Sequence, residues 1–247
     1  MKAIGVIPSR LGATRFPRKP LALIAGKPMI VRVLERAKLA TRLDRVIVAT
    51  DSEEIATVVR NHQGEVILTD SALPSGTDRI GAAVRDLDAE IMLNIQGDEP
   101  AMDPATIDAI VYEMQSDATI SIATPALPMD DPELFMNPAA VKVVIDCNRN
   151  ALYFSRAKIP FPRNHGVEDI PPMYLHLGLY GYRRDALDWF CQHPPSPLER
   201  RESLEQLRFL EAGWKIRVVL TDAISIGVDT PEDVARVEKI LRDRNIP

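Results

Sequence analysis

The sequence predicts an α/β fold in which a mostly parallel sheet is covered by helices on both faces. Apolar runs at residues 3–7, 46–49 and 91–95 are too short for ordinary helices and are typical of buried strands. Segments with helical spacing of apolar residues lie between them, at residues 28–40 and 53–63. Strands that are apolar throughout and alternate with helices indicate a parallel sheet buried on both faces.

Capping signals set the expected helix starts in the first half of the chain. Asp51 or Ser52 is the predicted N-cap of the second helix, which ends before Gly64 and leads to a strand at residues 66–69. Thr77 is the predicted N-cap of the third helix, and Asp103 followed by Pro opens the fourth. A further strand is predicted at residues 119–124.

The second half contains a long alternating segment at residues 174–182. Leu175, Leu177 and Leu179 occupy one face of the predicted strand, and the other face carries His176 and Tyr180. A capping box at residues 196–199 starts the next helix, on which residues 205 and 206 lie off the apolar stripe and are solvated by default. A last strand at residues 216–220 precedes a helix capped by residue 230.

Composition limits the function classes. The chain has 247 residues, 46% hydrophobic and 26% charged, which is ordinary for one globular domain. A net charge of −5 without a broad basic stripe argues against nucleic-acid binding. No signal peptide or membrane-length apolar stretch is visible, and the two cysteines have no metal-like spacing. We therefore expect a cytoplasmic protein with no membrane partner.

A cationic loop follows the first strand. Its cations are Arg10, Arg15, Arg18 and Lys19, with Lys27 just beyond. Pro8 and Gly12 force the loop, and no acidic residue precedes Glu35. Since open α/β sheets bind ligands beyond the carboxyl ends of their strands, this loop predicts a polyphosphate site.

Two common phosphate-binding motifs are missing from this loop. Gly26-Lys27 is followed by Pro28 and lacks the earlier glycine of a Walker loop, and Gly12 alone cannot form a dinucleotide fingerprint. A dehydrogenase is therefore disfavoured. The phosphate charge would be met mainly by arginine and lysine side chains.

Two aspartates are candidate metal ligands. Asn94, Gln96 and Asp98 share one face at the end of the strand at residues 91–95 if the extended conformation continues. A carboxylate beside a polyphosphate loop suits Mg²⁺, which takes one or two protein carboxylates plus substrate phosphates. Asp229 precedes the last helix cap, and capping does not account for it, so it is the second candidate.

Several blocks of the sequence also carry a resemblance. They are PSR (8–10), TRFPRKPL (14–21), SGTDR (75–79), LNIQGDEP (93–100), NPAAVK (137–142), ALYFSR (151–156), HLGLYGY (176–182), PSPLE (195–199), LEQLR (204–208) and GVDTPED (227–233). They resemble the sugar nucleotidyltransferases, and within them the 3-deoxy-manno-octulosonate (Kdo) cytidylyltransferases, from residue 4 to about 237. Taken from residue chemistry alone, Lys142 and Arg156 are ordinary edge-strand charges.

The resemblance implies a fold, a reaction and partners. The fold would be Rossmann-like, of the nucleotide-diphospho-sugar transferase type, with residues 1–247 as one domain. Residues from about 130 to 212 would form a smaller inserted sugar-binding and dimerisation region. The reaction would convert CTP and Kdo into CMP-Kdo and pyrophosphate with Mg²⁺, for lipopolysaccharide synthesis, in a homodimer.

The resemblance also assigns roles to individual residues. Arg10, Arg15 and Lys19 would hold the triphosphate, and Asp98 and Asp229 would hold Mg²⁺; these five form the catalytic set. Ser75, Arg79 and Gln96 would complete the nucleotide site, with Arg79 donating to the cytosine carbonyl. Gln96, Arg156, His176, Tyr180, Glu205 and Gln206 would bind the sugar, with Arg156 pairing with its carboxylate.

Other functions remain open at this point. The same scaffold would suit a related acid sugar, such as 8-amino-Kdo or a sialic acid, or a different nucleotide. A non-catalytic CTP-binding module is a further alternative, which the two retained carboxylates disfavour. The sequence also leaves open whether Arg18 and Lys27 contact phosphate or solvent.

Overall fold

The computed structural model describes residues 1–12, 16–161, 163, 173–223, 227–244 and 246. The strands are β1 (Ala3–Ser9), β2 (Leu23–Ile24), β3 (Lys27–Pro28), β4 (Arg45–Thr50), β5 (Glu65–Leu68), β6 (Ile91–Asn94), β7 (Ile122–Met129), β8 (Lys142–Ile145), β9 (Ala151–Ser155), β10 (Met173–His176), β11 (Tyr180–Arg183) and β12 (Arg217–Leu220). The helices are α1 (Met29–Ala37), α2 (Glu53–Asn61), α3 (Gly76–Val84), α4 (Pro104–Ser116), α5 (Pro132–Met136), α6 (Arg184–Gln192), α7 (Pro197–Glu202), α8 (Gln206–Glu211) and α9 (Pro231–Asp243).

The first half of the chain forms a parallel sheet in the order β5-β4-β1-β6. Side chains of β1 alternate between two apolar cores. Ala3 and Ile7 pack in the core that contains residues of α1 and α4, and Ile4 and Val6 pack in the core that contains residues of α3 and α6. The predicted α/β fold, with helices covering both faces of the sheet, is confirmed.

The second half of the chain continues the same sheet with mixed strand directions. β11 is antiparallel to both β6 and β7, and β12 is parallel to β7. β10, β8 and β9 extend the sheet by antiparallel pairing. The segment from about 130 to 212 is therefore built into the main sheet, while its sugar-binding and dimerisation roles stay predictions.

β7 begins and ends later than the sequence predicted. The expected strand at residues 119–124 is observed as Ile122–Met129, and it continues through Pro125 and Pro128. Proline within a run ordinarily argues against a strand, because it cannot donate to the ladder. The sequence pattern therefore placed the end of this strand too early.

The alternating segment at residues 174–182 is two strands rather than one. His176 pairs with Ala126 and Gly181 pairs with Ala123, so this segment advances five positions while β7 advances three. The two extra residues form a bulge around Gly178. β10 and β11 both pair with β7 along one edge. Along their other edge, β10 pairs with β8 and β11 pairs with β6. The strands β6 and β8 are therefore not paired with each other, and the gap between them opens into a pocket lined by Gly178 and His176.

Two further features concern the chain as a whole. The helices that the structure describes include none with the length and apolar character needed to cross a bilayer. Cys147 and Cys191 are both free thiols at the surface.

Candidate active site

Two adjoining pockets lie beyond the carboxyl ends of β1 and β6. The first has a volume of about 330 Å³, and the second of about 640 Å³. Pro8, Gly76 and Gln96 line both of them. A ligand group in one pocket therefore lies next to a ligand group in the other, which is the arrangement a two-substrate reaction needs.

The first pocket collects most of the predicted nucleotide residues. Those that line it are Arg10, Lys19, Ser75, Arg79 and Gln96, and the candidate metal ligand Asp98 lines it as well. Arg15, the remaining predicted phosphate ligand, lies outside the described residues. Gly97 allows the loop after β6 to approach the backbone of Pro8 closely, because a Cβ at this position would lie 3.0 Å from the carbonyl oxygen of Pro8.

Ser75, not Thr77, caps the helix that carries Arg79. The Ser75 hydroxyl accepts a hydrogen bond from the backbone N–H of Asp78 and donates one to its carboxylate, at 3.2 and 2.7 Å. The predicted cap at Thr77 is wrong by two residues. Its side chain instead points across to Glu205, whose Oε2 lies 2.6 Å from the Thr77 hydroxyl.

Arg79 is held in place by residues of two neighbouring strand ends. Its side chain is only 4% exposed, its Nη2 lies 3.2 Å from Asp51 Oδ2, and its Nη1 donates to the Thr69 hydroxyl. A buried guanidinium in this position presents a fixed edge to the pocket. The sequence pattern predicts only a helix-cap role for Asp51, and its contact with Arg79 depends on the tertiary structure.

Lys19 joins the two candidate metal carboxylates. Its Nζ lies 2.7 Å from Asp98 Oδ2 and 3.5 Å from Asp229 Oδ1. The loops that carry these aspartates are tied together, because the backbone N–H of Val228 donates to the carbonyl oxygen of Asp98 at 2.9 Å. The structure thus brings Asp98 and Asp229 to one position, although they are 131 positions apart in the sequence.

Two other cations of the first loop face away from the pocket. Arg18 is ion-paired with Glu54 of α2, and Lys27 lies 2.8 Å from Glu35 of α1. Neither lines either pocket. The first loop contains no acidic residue of its own. The helices that follow it in the chain supply the acidic partners of Arg18 and Lys27.

The second pocket contains the predicted sugar-binding residues. Those that line it are Gln96, Arg156, His176, Tyr180, Glu205 and Gln206, and Asp229 lies at its edge toward the first pocket. Gln96 donates from Nε2 to the carbonyl oxygen of Gly178 at 2.8 Å. The bulge between β10 and β11 thereby fixes the side chain shared by both pockets.

Arg156 is held by carbonyl groups. Its guanidinium donates to the carbonyl oxygens of Glu202, Pro138 and Ser203 at 2.8, 3.2 and 3.4 Å. No carboxylate of a described residue lies within 4 Å of the guanidinium nitrogens. Its positive charge is therefore available to an anionic ligand group in this pocket.

Lys142 supports the same wall and was not singled out by its chemistry. Its side chain is fully buried, and its Nζ donates to the carbonyl oxygens of Asn137, Ala140 and Arg156 at 3.0, 2.6 and 2.8 Å. Burial and the nearby Arg156 lower the pKa of Lys142. The edge-strand interpretation is wrong for Lys142, because β8 lies between β9 and β10 in the sheet. In the sequence, the only indication that Lys142 is buried is its position inside a run of β-branched residues.

Gln206 is buried and Glu205 is partly buried, so neither side chain lies on a solvated helix face. The predicted helix is broken at Ser203, which has a left-handed backbone conformation (φ 53°), into α7 and α8. Burial raises the pKa of Glu205. The Gln206 amide nitrogen is buried and has no hydrogen-bond partner among the residues whose structure is described. An acceptor group of a ligand would satisfy it.

A buried ion pair stabilises the packing of α8 against α7. Arg208 donates from Nε and Nη2 to the carboxylate of Glu199 at 2.7 and 2.6 Å, and both side chains are less than 10% exposed. Arg208 also lies 3.7 Å from the ring centroid of Phe190. These contacts fix α8, and with it Glu205 and Gln206, against α6 and α7.

Comparison with known proteins matches this geometry to one family. A family model described as "Cytidylyltransferase" matches residues 4–216. The 3-deoxy-manno-octulosonate cytidylyltransferase of Syntrophotalea carbinolica is 48% identical, over 98% of this chain and 99% of that protein. The enzyme of the same name from Bdellovibrio bacteriovorus is 44% identical over the whole of both chains.

Solved structures agree with the sequence relatives. A CMP:2-keto-3-deoxy-manno-octonic acid synthetase complexed with CTP matches with a TM-score of 0.93 and 39% identity, over 99% of this chain and 100% of that one. A cytidylyltransferase from Leptospira borgpetersenii has a TM-score of 0.66 at 15% identity, which shows the shared fold alone. The predicted fold type is confirmed.

Proposed function

The chain belongs to the cytidylyltransferase family and is a nucleotidyltransferase, and from that premise we propose that it converts CTP and Kdo into CMP-Kdo and pyrophosphate. The observation that carries the proposal is the shared wall of the two pockets. Gln96 lines both, with Arg10 and Lys19 in the first and Arg156 in the second. A triphosphate and an acid sugar can therefore meet at one side chain.

The reaction needs positioning and charge more than covalent chemistry. The anomeric hydroxyl of the sugar attacks the α-phosphorus of CTP, the new bond is O–P, and the bond to the bridging oxygen of pyrophosphate breaks. The hydroxyl proton passes to solvent water, and pyrophosphate leaves with the electron pair of the broken bond. Arg10 and Lys19 offset the negative charge that develops, and the adjoining pockets hold the reacting atoms together.

Two aspartates fit the Mg²⁺ that this family's resemblance implies. Asp98 and Asp229 both approach the ammonium of Lys19, so their carboxylates already face a common cation position. Hard carboxylate oxygens, with substrate phosphates completing the coordination, are the ligands that Mg²⁺ prefers. When bound there, the ion would neutralise charge on the phosphates.

The second pocket suits an acid sugar. The guanidinium of Arg156 would pair with the sugar carboxylate, since no carboxylate of a described residue forms an ion pair with it. Glu205, Gln206 and His176 offer hydrogen-bonding groups to hydroxyls. The nucleotide is bound in the first pocket, where Arg79, held by Asp51, would donate to the cytosine carbonyl.

The wider setting follows from the same resemblance. We place the product as the activated sugar donor for lipopolysaccharide synthesis, made in the cytoplasm by a homodimer. Leu152, on the edge strand β9, and Phe161 are 59% and 79% exposed, which supports an interface in this region. Sedimentation of the wild type and of Leu152→Asp tests the homodimer, which requires the variant to shift towards the monomer.

The test of the reaction is pyrophosphate release with CTP, Kdo and Mg²⁺. Release should require both substrates and should stop with EDTA or when CTP is replaced by ATP, GTP or UTP. Competition with 8-amino-Kdo and sialic acid identifies the preferred sugar. Binding of CTP without release with any of these sugars would contradict the proposal and favour a non-catalytic CTP-binding module.

A further inference from the structure

A threonine on β7 contacts the histidine of the second pocket. Thr124 is fully buried, and its Oγ1 lies 2.8 Å from the carbonyl oxygen of Leu179 and 3.4 Å from that of Leu177. The same oxygen lies 3.0 Å from Nε2 of His176. Thr124 lines neither pocket, so it acts on a ligand only through the histidine.

The hydrogens available on these atoms favour one tautomer of the His176 ring. A threonine hydroxyl has one hydrogen to donate, and a carbonyl oxygen has none. The hydrogen of Thr124 therefore points to Leu179, at the shortest distance, and its oxygen lone pair faces His176. Two atoms in hydrogen-bond contact need one hydrogen between them, so Nε2 of His176 carries it.

The surroundings of His176 leave its other nitrogen as an acceptor. The ring of Phe154 lies edge-on with centroids 5.0 Å apart, and the ring of Tyr180 lies 5.3 Å away. Burial lowers the pKa of His176 to about 3. In a neutral imidazole with hydrogen on Nε2, Nδ1 is bare. No described residue hydrogen-bonds to Nδ1 of His176, and the ring lines the second pocket.

We propose that Thr124 is a positioning residue that holds His176 in the Nε2–H tautomer, so that Nδ1 accepts a hydrogen bond from a hydroxyl group of the acid sugar. The identity of the ligand rests on the proposed function, whereas the tautomer does not. The histidine then selects a group that can donate. A sugar methylated at the contacted hydroxyl loses this bond, because the ether oxygen has no hydrogen.

The first test uses the unmodified protein. Nitrogen-15 NMR of histidine-labelled protein reports which ring nitrogen of each histidine carries hydrogen, and His176→Asn assigns the signals of His176. We expect hydrogen on Nε2 and a bare Nδ1, whose signal shifts when Kdo is added. Hydrogen on Nδ1, or rapid exchange between the two tautomers, would overturn the proposal without any change to Thr124.

The second test separates the hydroxyl from the shape of residue 124. Thr124→Val keeps the β-branched side chain and removes the donor and acceptor, so the tautomers should mix and the KM for Kdo should rise by about tenfold. Thr124→Ser should restore the wild-type tautomer and KM, and the KM for CTP should not change. Thr106→Val is the matched control, since Thr106 is also buried, its hydroxyl contacts that of Thr221, and neither threonine lines either pocket.

The outcomes distinguish this inference from the proposed function. If the wild type releases no pyrophosphate, the proposed reaction is wrong. The NMR measurement still tests the tautomer of His176 in that case. If the wild type turns over Kdo but the Nδ1 signal does not shift when Kdo is added, the proposed hydrogen bond to the sugar is wrong. An unchanged KM for Kdo in a folded Thr124→Val overturns the positioning role.

Discussion

The ammonium of Lys19 lies between the carboxylates of Asp98 and Asp229, 2.7 Å from the first and 3.5 Å from the second. The three residues come from the first loop, the end of β6 and the approach to α9. The lysine side chain is 16% exposed and the aspartates are 31% and 55% exposed. The pair with Asp98 is partly buried, whereas the pair with the more exposed Asp229 contributes little to stability.

The first prediction concerns Asp98. We expect Asp98→Asn to lower kcat/KM by about 100-fold or more, because it removes a charge from the reacting centre. The free energy of unfolding should fall by about 1 kcal/mol or less, the usual value of a partly exposed pair. Pyrophosphate release and thermal melting measure the two effects.

A matched control for Asp98 is Glu65→Gln, which breaks the exposed pair between Arg45 and Glu65 on β4 and β5. It should leave both the turnover and the melting temperature near the wild-type values. If Asp98→Asn loses stability in proportion to its activity, Asp98 is structural and the first prediction is wrong.

The second prediction concerns Asp51, which reaches the nucleotide only through Arg79. Asp51→Asn removes the charge that orients the guanidinium, 3.2 Å away. The KM for CTP should rise by about tenfold, with the KM for Kdo unchanged, and stability should fall by about 1–3 kcal/mol. Initial-rate kinetics with each substrate varied in turn provide the measurement.

Asp108→Asn is the control for this variant. Asp108 accepts hydrogen bonds from Thr41 and Arg42 at the surface, far from both pockets. It should lose stability without any change in either KM. A normal KM for CTP in Asp51→Asn would show that Arg79 does not need this partner.

The third prediction is the pH dependence caused by Glu205. Burial raises its pKa above the ordinary value of 4.5, so the folded protein keeps this proton to a higher pH than the unfolded chain does. Between those two pKa values the folded state binds more protons, and stability therefore falls as the pH rises above 4.5. Glu205→Gln removes this contribution.

Melting temperatures measured from pH 4.5 upward test the sign. The wild type should lose more stability than Glu205→Gln as the pH rises, while the variant should bind Kdo more weakly. Parallel melting curves for the two proteins would contradict the raised pKa. An unchanged affinity for Kdo would remove Glu205 from the sugar site.

The fourth prediction concerns the buried ammonium of Lys142. Lys142→Met keeps most of the side-chain volume and removes the ammonium that donates to the carbonyl groups of Asn137, Ala140 and Arg156. We expect a loss of about 1–3 kcal/mol in stability and a higher KM for Kdo, because these residues line the second pocket. The KM for CTP should not change.

Lys158→Met, at an exposed lysine shortly after β9, is the control for a lost positive charge in this region. It should behave as the wild type in both assays. Equal increases in the KM for CTP and for Kdo in Lys142→Met would indicate general unfolding rather than a local effect on the second pocket.

Local interactions were readable from the sequence. The parallel strands followed from apolar runs, and the capping box of α9, with Thr230 and Asp233, followed from residue type and spacing. The match to the family followed from ordered blocks along the chain. Each of these depends on neighbours within a few positions, so sequence order contains the necessary information.

Only the tertiary structure decided which of the charged side chains meet. Lys19 joins Asp98, whereas Arg18 and Lys27 turn to acids on α2 and α1, and no spacing in the first loop distinguishes them. The two-residue bulge at Gly178 and the contact of Thr124 with His176 depend on the register of β7 with its neighbours. Register is set by packing between segments that are distant in sequence, and a single chain's local pattern does not contain it.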